Sequence, residues 1–370
     1  MDQIILKPRL SPVMLFVLLL VTLSGLNFLV APYDVAKACG PSAYWAVMGT
    51  LILLLPVLGL MILFKNRFPD ENLFQVAPHV IGKPLAIIGN LIFISVFIIW
   101  LVTVIPNATY LLSTYLFDRT PLLAIMVSLL LAIGYIAING LKAVNRMAAF
   151  VFIPTLSFTL LMKLLTLQGI TVTHLLPLFS NQPLNYLKGA ITTLNQFVPL
   201  GAVFLIYPLL KKQAKLGKIT LGVVALEIFL LVIGVITTIG TFGASVSTRF
   251  IWPNLASVHR LSIPYLVLEQ IGLLFIIVWL TMFIIGTSFY FSLIAGGLKE
   301  QFPVLNYRYT AIALLILVGG GGFLLFPNIY RLNSVFTALR HVAIIPVIFY
   351  PLLIYIIALL RGKGVKRNEA

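Results

Sequence analysis

Long apolar runs separated by short polar segments repeat along the whole chain. Ten of these runs are long enough to cross a bilayer, which takes about 20 consecutive apolar residues in a helix. The pattern predicts an all-α multispanning membrane protein, with residues 1–370 as a single transmembrane domain. The predicted spans 1 to 10 cover residues 11–33, 42–64, 84–116, 121–139, 145–167, 187–210, 217–241, 264–297, 308–326 and 334–360.

Composition supports a membrane environment independently of the run lengths. Apolar residues make up 61% of the chain and charged residues 9%, whereas a soluble domain carries roughly 25% charged residues. So few charges cannot cover the surface of a water-soluble globule of this size. The lipid bilayer is therefore the predicted surroundings of most of the chain.

Charge indicates an orientation in the membrane. The net charge of +16 could suggest nucleic acid, but no basic stripe exists to bind it, so no nucleic-acid partner is expected. With the N-terminus inside, the inner side collects 17 of the 25 Lys and Arg residues, as cytoplasmic loops usually do. An even number of spans returns the C-terminus to the same side. Both termini are predicted to be cytoplasmic.

Two spans contain helix-breaking positions near their centres. Gly25 interrupts span 1, and Pro199 and Gly201 interrupt span 6. Breaks at corresponding positions of two halves point to a transporter-type binding site at the midplane. Five spans separate them, so repeats over about 11–167 and 187–360 would have inverted topology. Ordinary kinked helices are the alternative, because Gly and Pro are common in membrane helices.

Three motifs resemble one known family. They are Thr120 with Pro121, GLKAVNR at 140–146 and WPNLASVHRLSI at 252–263. The chain resembles the amino-acid-permease-like B subunit of spore germinant receptors, a family similar to the amino acid–polyamine–organocation transporters. The resemblance implies ten helices in a 5+5 inverted repeat with helices 1 and 6 broken. It also implies a location in the spore inner membrane and partnership with receptor A and C subunits.

The implied ligand is a small nutrient, and an amino acid is the predicted one. Its carboxylate needs donors and its ammonium needs acceptors at membrane depth. Backbone N–H groups after Gly25 are predicted to donate to the carboxylate, and carbonyls near Val198 and Leu200 are predicted to accept from the ammonium. Close packing at Gly25 and core packing at Trp100 are the alternatives. The predicted ligand-binding residues are Gly25, Leu26, Asn27, Trp100, Leu101, Thr103, Val198, Pro199, Leu200, Gly201, Phe283 and Thr287.

Two ionisable residues fall within spans. Glu227 lies about ten residues inside span 7, near the midplane at about 1.5 Å per residue. An acid at that depth suggests proton or cation coupling, and a neutral, hydrogen-bonded Glu is the alternative that we favour. Lys163 lies near the outer end of span 5 and is predicted to snorkel toward the headgroups.

No motif supports an enzyme, a cofactor or a metal site. The four histidines have no metal-ligand spacing, and neither a G-x-S-x-G nor a P-loop sequence occurs. The glycine run at 319–322 favours packing or a kink. The outer segment at 243–263 could lie on the interface, gate the site or dock a partner. A receptor subunit, a proton-coupled amino acid transporter and a scaffold without a ligand remain the competing functions.

Overall fold

The computed structural model describes residues 10–27, 29–179, 181–210, 214–261 and 271–364. These residues form α-helices joined by short 3₁₀ segments and loops. We number the α-helices in chain order. They are α1 Pro12–Asn27, α2 Ala31–Cys39, α3 Tyr44–Arg67, α4 Leu73–Ile81, α5 Lys83–Tyr115, α6 Leu122–Ala137, α7 Gly140–Thr166, α8 Pro183–Leu194, α9 Val203–Ile206, α10 Leu216–Phe242, α11 Ala244–Ser247, α12 Pro253–His259, α13 Ile271–Gln301, α14 Tyr307–Leu325 and α15 Ile329–Leu360.

The predicted number of spans is confirmed. Eight helical segments of the described chain are long and apolar enough to cross a membrane, and two shorter apolar helices, Pro12–Gly25 and Leu122–Ala137, fall in predicted spans 1 and 4. Counted over the described residues, the fold has ten transmembrane helices. The division into repeats at 11–167 and 187–360 stays a prediction.

Span 1 is broken, but not at the predicted residue. α1 begins at Pro12, where the Ser11 hydroxyl accepts a hydrogen bond from the Met14 amide at 3.2 Å, and it continues past Gly25 to Asn27. The second half, α2, begins at Ala31 with a proline in its first turn. The amides just after Gly25 therefore belong to a continuing helix. The described part of the break is the turn at residues 29–30.

Span 6 changes its helix type at the predicted position. α8 ends at Leu194, and residues Asn195–Ala202 form a 3₁₀ helix whose eight residues are all buried. A 3₁₀ run seldom exceeds about three or four residues, and one inside a longer helix often marks a hinge. Pro199 contributes because it has no N–H for the α-helical pattern. Span 6 is thus overwound at its centre rather than unwound.

The two broken spans are joined by a backbone hydrogen bond at one end. The Leu10 amide donates to the Leu209 carbonyl at 2.8 Å, just before α1 and in the 3₁₀ turn Tyr207–Leu209 that ends span 6. This bond fixes the two spans relative to each other at one end. The two breaks therefore lie in spans that are joined to each other at one end.

The outer segment between spans 7 and 8 folds over the bundle. Gly243 ends α10 with a positive φ of 80°, and the short helices α11 and α12 follow. The Trp252 indole N–H donates to the Asn107 side chain at 3.0 Å, and Arg260 donates to the Thr241 carbonyl. The ring of His259 stacks on Tyr115 at 4.8 Å, and burial lowers the pKa of His259.

Several predictions concern residues outside the described ranges. These are the basic N-terminal residues Lys7 and Arg9, the first residues of span 8 from 264 to 270, the end of the outer segment at 262–263, and the basic residues Lys366 and Arg367. Leu26 and Asn27 are described only as part of the α1 backbone. The cytoplasmic placement of both termini remains a prediction.

Candidate functional site

One face of α13, the helix of span 8, organises the predicted site. Phe283, Thr287 and Tyr290 are spaced at i, i+4 and i+7, so they lie on the same side of the helix. All three are buried, with at most 1% of their surface exposed. Phe283 and Thr287 were predicted to contact ligand, and Tyr290 was not. This face is the common neighbour of spans 1, 3 and 6.

At one end of this face, Gly25 packs against the α13 backbone. A Cβ built on Gly25 would lie 2.7 Å from the Met282 carbonyl carbon and oxygen and 2.8 Å from the Phe283 amide nitrogen. Backbone atoms cannot move aside as a flexible side chain can. The residue therefore permits the close crossing of spans 1 and 8, which agrees with the packing alternative rather than with exposed amides.

At the other end, Tyr290 joins span 8 to the centre of span 6. Its hydroxyl donates a hydrogen bond to the Pro199 carbonyl at 2.9 Å. Its ring lies 5.5 Å from Phe97 in a stacked arrangement and 5.2 Å from Trp100 in an edge arrangement. We call Phe97, Trp100, Pro199 and Tyr290 the aromatic cluster. It brings together two residues predicted from sequence, Trp100 and Pro199, through one that was missed.

The remaining predicted residues are buried near this cluster or within its helices. The hydroxyl of Thr103 donates to the Trp100 carbonyl and that of Thr287 donates to the Phe283 carbonyl, both at 2.7 Å. A Cβ on Gly201 would lie 2.5 Å from a Val347 methyl of span 10, so Gly201 faces a helix contact. Leu101, Val198 and Leu200 are at most 3% exposed.

A second buried region links spans 1 and 7. The Ser24 hydroxyl donates to Oε2 of Glu227 at 2.7 Å, and Glu227 is 3% exposed. This bond is made one residue before the close crossing at Gly25. It gives Glu227 the hydrogen-bonded partner that the structural interpretation requires. A coupling role for Glu227 stays a prediction.

Lys163 does not snorkel, and that prediction is wrong. The residue is 2% exposed, and its Nζ donates to Oδ1 of Asn254 in α12 at 2.8 Å. Gly234 makes room for the ammonium, since a Cβ there would lie 2.8 Å from Nζ. The outer segment covers this end of span 5, so the side chain cannot reach water along it.

Lys163 and Glu227 belong to one buried region. Gly234, where a Cβ would lie 2.8 Å from the Lys163 Nζ, lies two turns beyond Glu227 on the same face of α10. We call Ser24, Lys163, Glu227 and Asn254 the charged network. The adjoining cavity, lined in part by Ser24, has a volume of about 10 Å³, so at most one water fits beside it.

Sequence reasoning also missed an acid directly after the span 1 break. Asp34 lies in the first turn of α2 and is 7% exposed. Negative side chains are stabilised there by the partial positive charge of the helix N-terminus. Pro32 followed by an acid is a helix-start pattern, and it would have placed the break between residues 27 and 31.

Neither a metal cluster nor a phosphate loop emerges from these residues. Within the described ranges, no group of three or more His, Cys, Asp or Glu side chains could hold a metal ion. The glycine run packs against neighbours: a Cβ on Gly322 would lie 2.7 Å from Pro106, whereas Gly320 has no neighbour within 4 Å. An apolar groove of about 790 Å³ opens beside it, between α6 and α14.

The arrangement defines a class of protein. The chain is an integral membrane protein with an amino acid transporter-like fold. The crystal structure of MhsT in complex with L-phenylalanine matches 95% of this chain and 89% of MhsT at a TM-score of 0.67 and 17% identity. The structure of the nucleobase-cation-symport-1 transporter Mhp1, closed with bromovinylhydantoin bound, matches 96% of this chain and 85% of the Mhp1 chain. The TM-score is 0.63 and the sequence identity is 15%. At these identities, the likeness concerns the fold alone.

Sequence comparison then gives the family. The family described as "Spore germination protein" matches residues 9–319, and the chain belongs to it. Spore germination protein B2 of Bacillus subtilis (strain 168) is 22% identical over 92% of this chain and 93% of its own length. Spore germination protein YndE of the same organism is 25% identical over 61% of this chain. The chain spans 63% of the length of YndE.

Proposed function

We propose that this protein is the nutrient-binding membrane subunit of a spore germination receptor. Its ligand is a small molecule, an amino acid in our proposal, held at the midplane between the broken spans 1 and 6 with spans 3 and 8. The observation that carries the proposal is the buried 3₁₀ segment Asn195–Ala202, which faces span 8 through Tyr290 and Pro199. The protein has no catalytic role in this proposal.

The chemistry of the two breaks suits a zwitterion. The start of α2 presents the positive end of a helix, which favours a carboxylate, although Asp34 in the same turn limits that attraction. The carbonyls around Pro199 can accept from an ammonium. MhsT supports an amino acid, because that neighbour was solved in complex with L-phenylalanine. Apolar residues such as Leu200 and Phe283 would contact the ligand side chain.

Sensing and transport make different predictions from the same site. We would reconstitute the purified protein in liposomes and measure binding and uptake of labelled L-alanine, L-valine and L-leucine. A sensor binds at least one of them saturably without accumulating it along a proton gradient. Accumulation without partner subunits would favour the transporter, and no saturable binding of any nutrient would favour a scaffold.

The transporter is the second candidate because the charged network contains an acid in a membrane span. Glu227 contacts Ser24 at 2.7 Å, close to the span 1 break, so a proton on its carboxyl could influence the position of that span. Glu227→Gln keeps the oxygen that accepts from Ser24. If proton coupling drives uptake, this variant loses accumulation while retaining binding.

Location and assembly complete the proposal. We place the protein in the spore inner membrane with both termini in the cytoplasm and with receptor A and C subunits as partners. Neighbouring genes for a membrane-anchored A subunit and a lipoprotein C subunit would support this assembly. Purification from spores under mild detergent, followed by mass spectrometry, tests it. Recovery of the protein without either partner would contradict it.

A further inference from the structure

Tyr290 occupies the backbone group that a ligand amine would need. The Pro199 carbonyl lies in the segment whose acceptors are predicted to meet an ammonium, and the Tyr290 hydroxyl already donates to it at 2.9 Å. Both residues are buried, and Tyr290 is 1% exposed. Water therefore does not compete for this bond. The Tyr290 hydroxyl, a hydrogen-bond donor like the ligand amine, therefore already binds the Pro199 carbonyl.

The tyrosine ring is fixed by its neighbours. The ring of Phe97 stacks on it with 5.5 Å between the ring centroids. The rings of Trp100 and Phe289 meet it in edge arrangements, with centroids 5.2 and 5.0 Å away. Such contacts prefer defined geometries and resist rotation of the ring. The hydroxyl is thus aimed at span 6 by residues of spans 3 and 8. Separating the hydroxyl oxygen from the Pro199 carbonyl therefore requires span 6 to move relative to span 8, or the reverse.

We propose that the Tyr290 hydroxyl is a built-in substitute for the ligand amine, which an amine ligand displaces from the Pro199 carbonyl on binding. Tyr290 is then a positioning residue that holds the 3₁₀ segment to span 8 until a ligand arrives. This inference rests on the proposed function. It adds how occupation of the site is converted into movement between two spans.

Ligand chemistry follows from the exchange of one donor for another. A hydrogen bond from a charged group is roughly twice as strong as one between neutral groups. A primary ammonium can therefore replace the phenol at Pro199 with a net gain. A carboxylic acid without an amine brings no donor to this carbonyl, so it leaves the Tyr290 bond in place.

The first test removes only the hydroxyl. Tyr290→Phe keeps the ring contacts with Phe97 and Trp100, and L-leucine no longer has to break a bond. We expect the affinity for L-leucine to rise about 2- to 12-fold, the value of one neutral hydrogen bond. The affinity for 4-methylpentanoate, which lacks the amine, stays unchanged. Unchanged or weaker L-leucine binding in a folded Tyr290→Phe protein would overturn the proposal.

A matched control comes from a second buried tyrosine. The Tyr307 hydroxyl donates to the Ala137 carbonyl at 2.7 Å, and Tyr307 is 3% exposed. Tyr307→Phe therefore removes the same kind of bond between spans 9 and 4, outside the aromatic cluster. We expect it to lower the unfolding temperature about as much as Tyr290→Phe while leaving L-leucine affinity at the wild-type value. An equal gain of affinity in both variants would contradict a specific role for Tyr290.

A ligand-free measurement separates this inference from the proposed function. Amide hydrogen exchange in peptides covering 195–203 should be faster in Tyr290→Phe than in the wild type, and unchanged in Tyr307→Phe. If the wild type binds neither L-leucine nor the other amino acids, the proposed function and displacement by an amine both fail, and the exchange comparison still decides whether Tyr290 holds the 3₁₀ segment to span 8. Equal exchange in all three proteins would show that Tyr290 does not hold span 6.

Discussion

The aromatic cluster and the charged network are two buried regions held together by different kinds of interaction. In the aromatic cluster, neutral groups meet: a phenol donates to the Pro199 carbonyl while rings pack around it. In the charged network, Lys163 donates to Asn254 and Glu227 accepts from Ser24. Both lie beside a broken span.

The difference indicates which region can receive a zwitterion. An incoming ammonium can replace a neutral donor in the aromatic cluster, where no buried charge has to be separated. In the charged network it would have to disturb the hydrogen bonds of two buried ionisable side chains, and the adjoining cavity has a volume of about 10 Å³. We therefore assign recognition to the aromatic cluster and stabilisation of the bundle to the charged network.

The largest expected effect comes from removing the buried lysine of the charged network. Lys163→Met removes the hydrogen bond to Asn254 and a positive group from the buried region of Glu227, and we expect a loss of about 3–5 kcal/mol in the free energy of unfolding. Denaturant or thermal unfolding of purified protein measures it. Adding Glu227→Gln should restore at least half of the loss, because Gln still accepts from Ser24. An unchanged free energy of unfolding in the Lys163→Met variant would contradict the role of the charged network.

A smaller loss is expected where spans 1 and 8 cross. Gly25→Ala places a Cβ 2.7 Å from the α13 backbone, which is closer than Cβ atoms normally approach other atoms. Overpacking of this kind typically costs about 1–3 kcal/mol. Reduced abundance in the membrane and a lower unfolding temperature are the expected results. Gly320→Ala is the control, since nothing lies within 4 Å of it. Normal abundance with a lost nutrient response would instead restore Gly25 to the ligand site.

Ligand choice should change when side chains near the aromatic cluster are replaced by larger ones. Leu200→Phe or Thr287→Phe fills space near the predicted ligand, and a penalty of about 1–3 kcal/mol lowers affinity about 5- to 150-fold. Larger amino acids should lose more affinity than smaller ones in a binding panel at matched membrane abundance. A uniform loss across the panel, or loss of the protein, would mean that these residues only pack against helices.

The smallest effect is expected at Thr103. Its hydroxyl donates to a carbonyl of its own helix, so Thr103→Val removes a local bond while keeping the shape of the side chain. We expect a change below about 1 kcal/mol in unfolding free energy and unchanged amino acid affinity. Titration of the purified variant beside the wild type checks both. A large loss of affinity would mean that the Thr103 hydroxyl contacts the ligand.

The sequence predicted the number of spans and the position where span 6 leaves the α-helical pattern, because both have local causes. Apolar length determines a span, and Pro199 cannot donate the N–H that an α-helix needs. Gly25 was ambiguous, because a missing side chain permits either a break or a close crossing. Which one occurs depends on the α13 backbone, more than 250 residues away in the chain.

Lys163 and Tyr290 could not be located from hydropathy. Depth along span 5 suggested that the lysine reaches the headgroups, but α12 folds back and covers it, as its bond to Asn254 shows. Thr155, Thr159 and Lys163 recur every four residues, a pattern that indicates one buried polar face. Tyr290 lies between Phe289 and Phe291, so nothing in the local pattern distinguishes its hydroxyl from its neighbours.

The position of a bound amino acid is the most direct test of the account. We would determine the structure of the purified protein with the L-amino acid that binds most tightly in the panel. The account predicts ligand density between spans 6 and 8, with the amine within hydrogen-bond distance of the Pro199 carbonyl and the Tyr290 hydroxyl displaced. Density against Lys163 and Glu227, or in the groove between α6 and α14, with the Tyr290 bond intact, would contradict it.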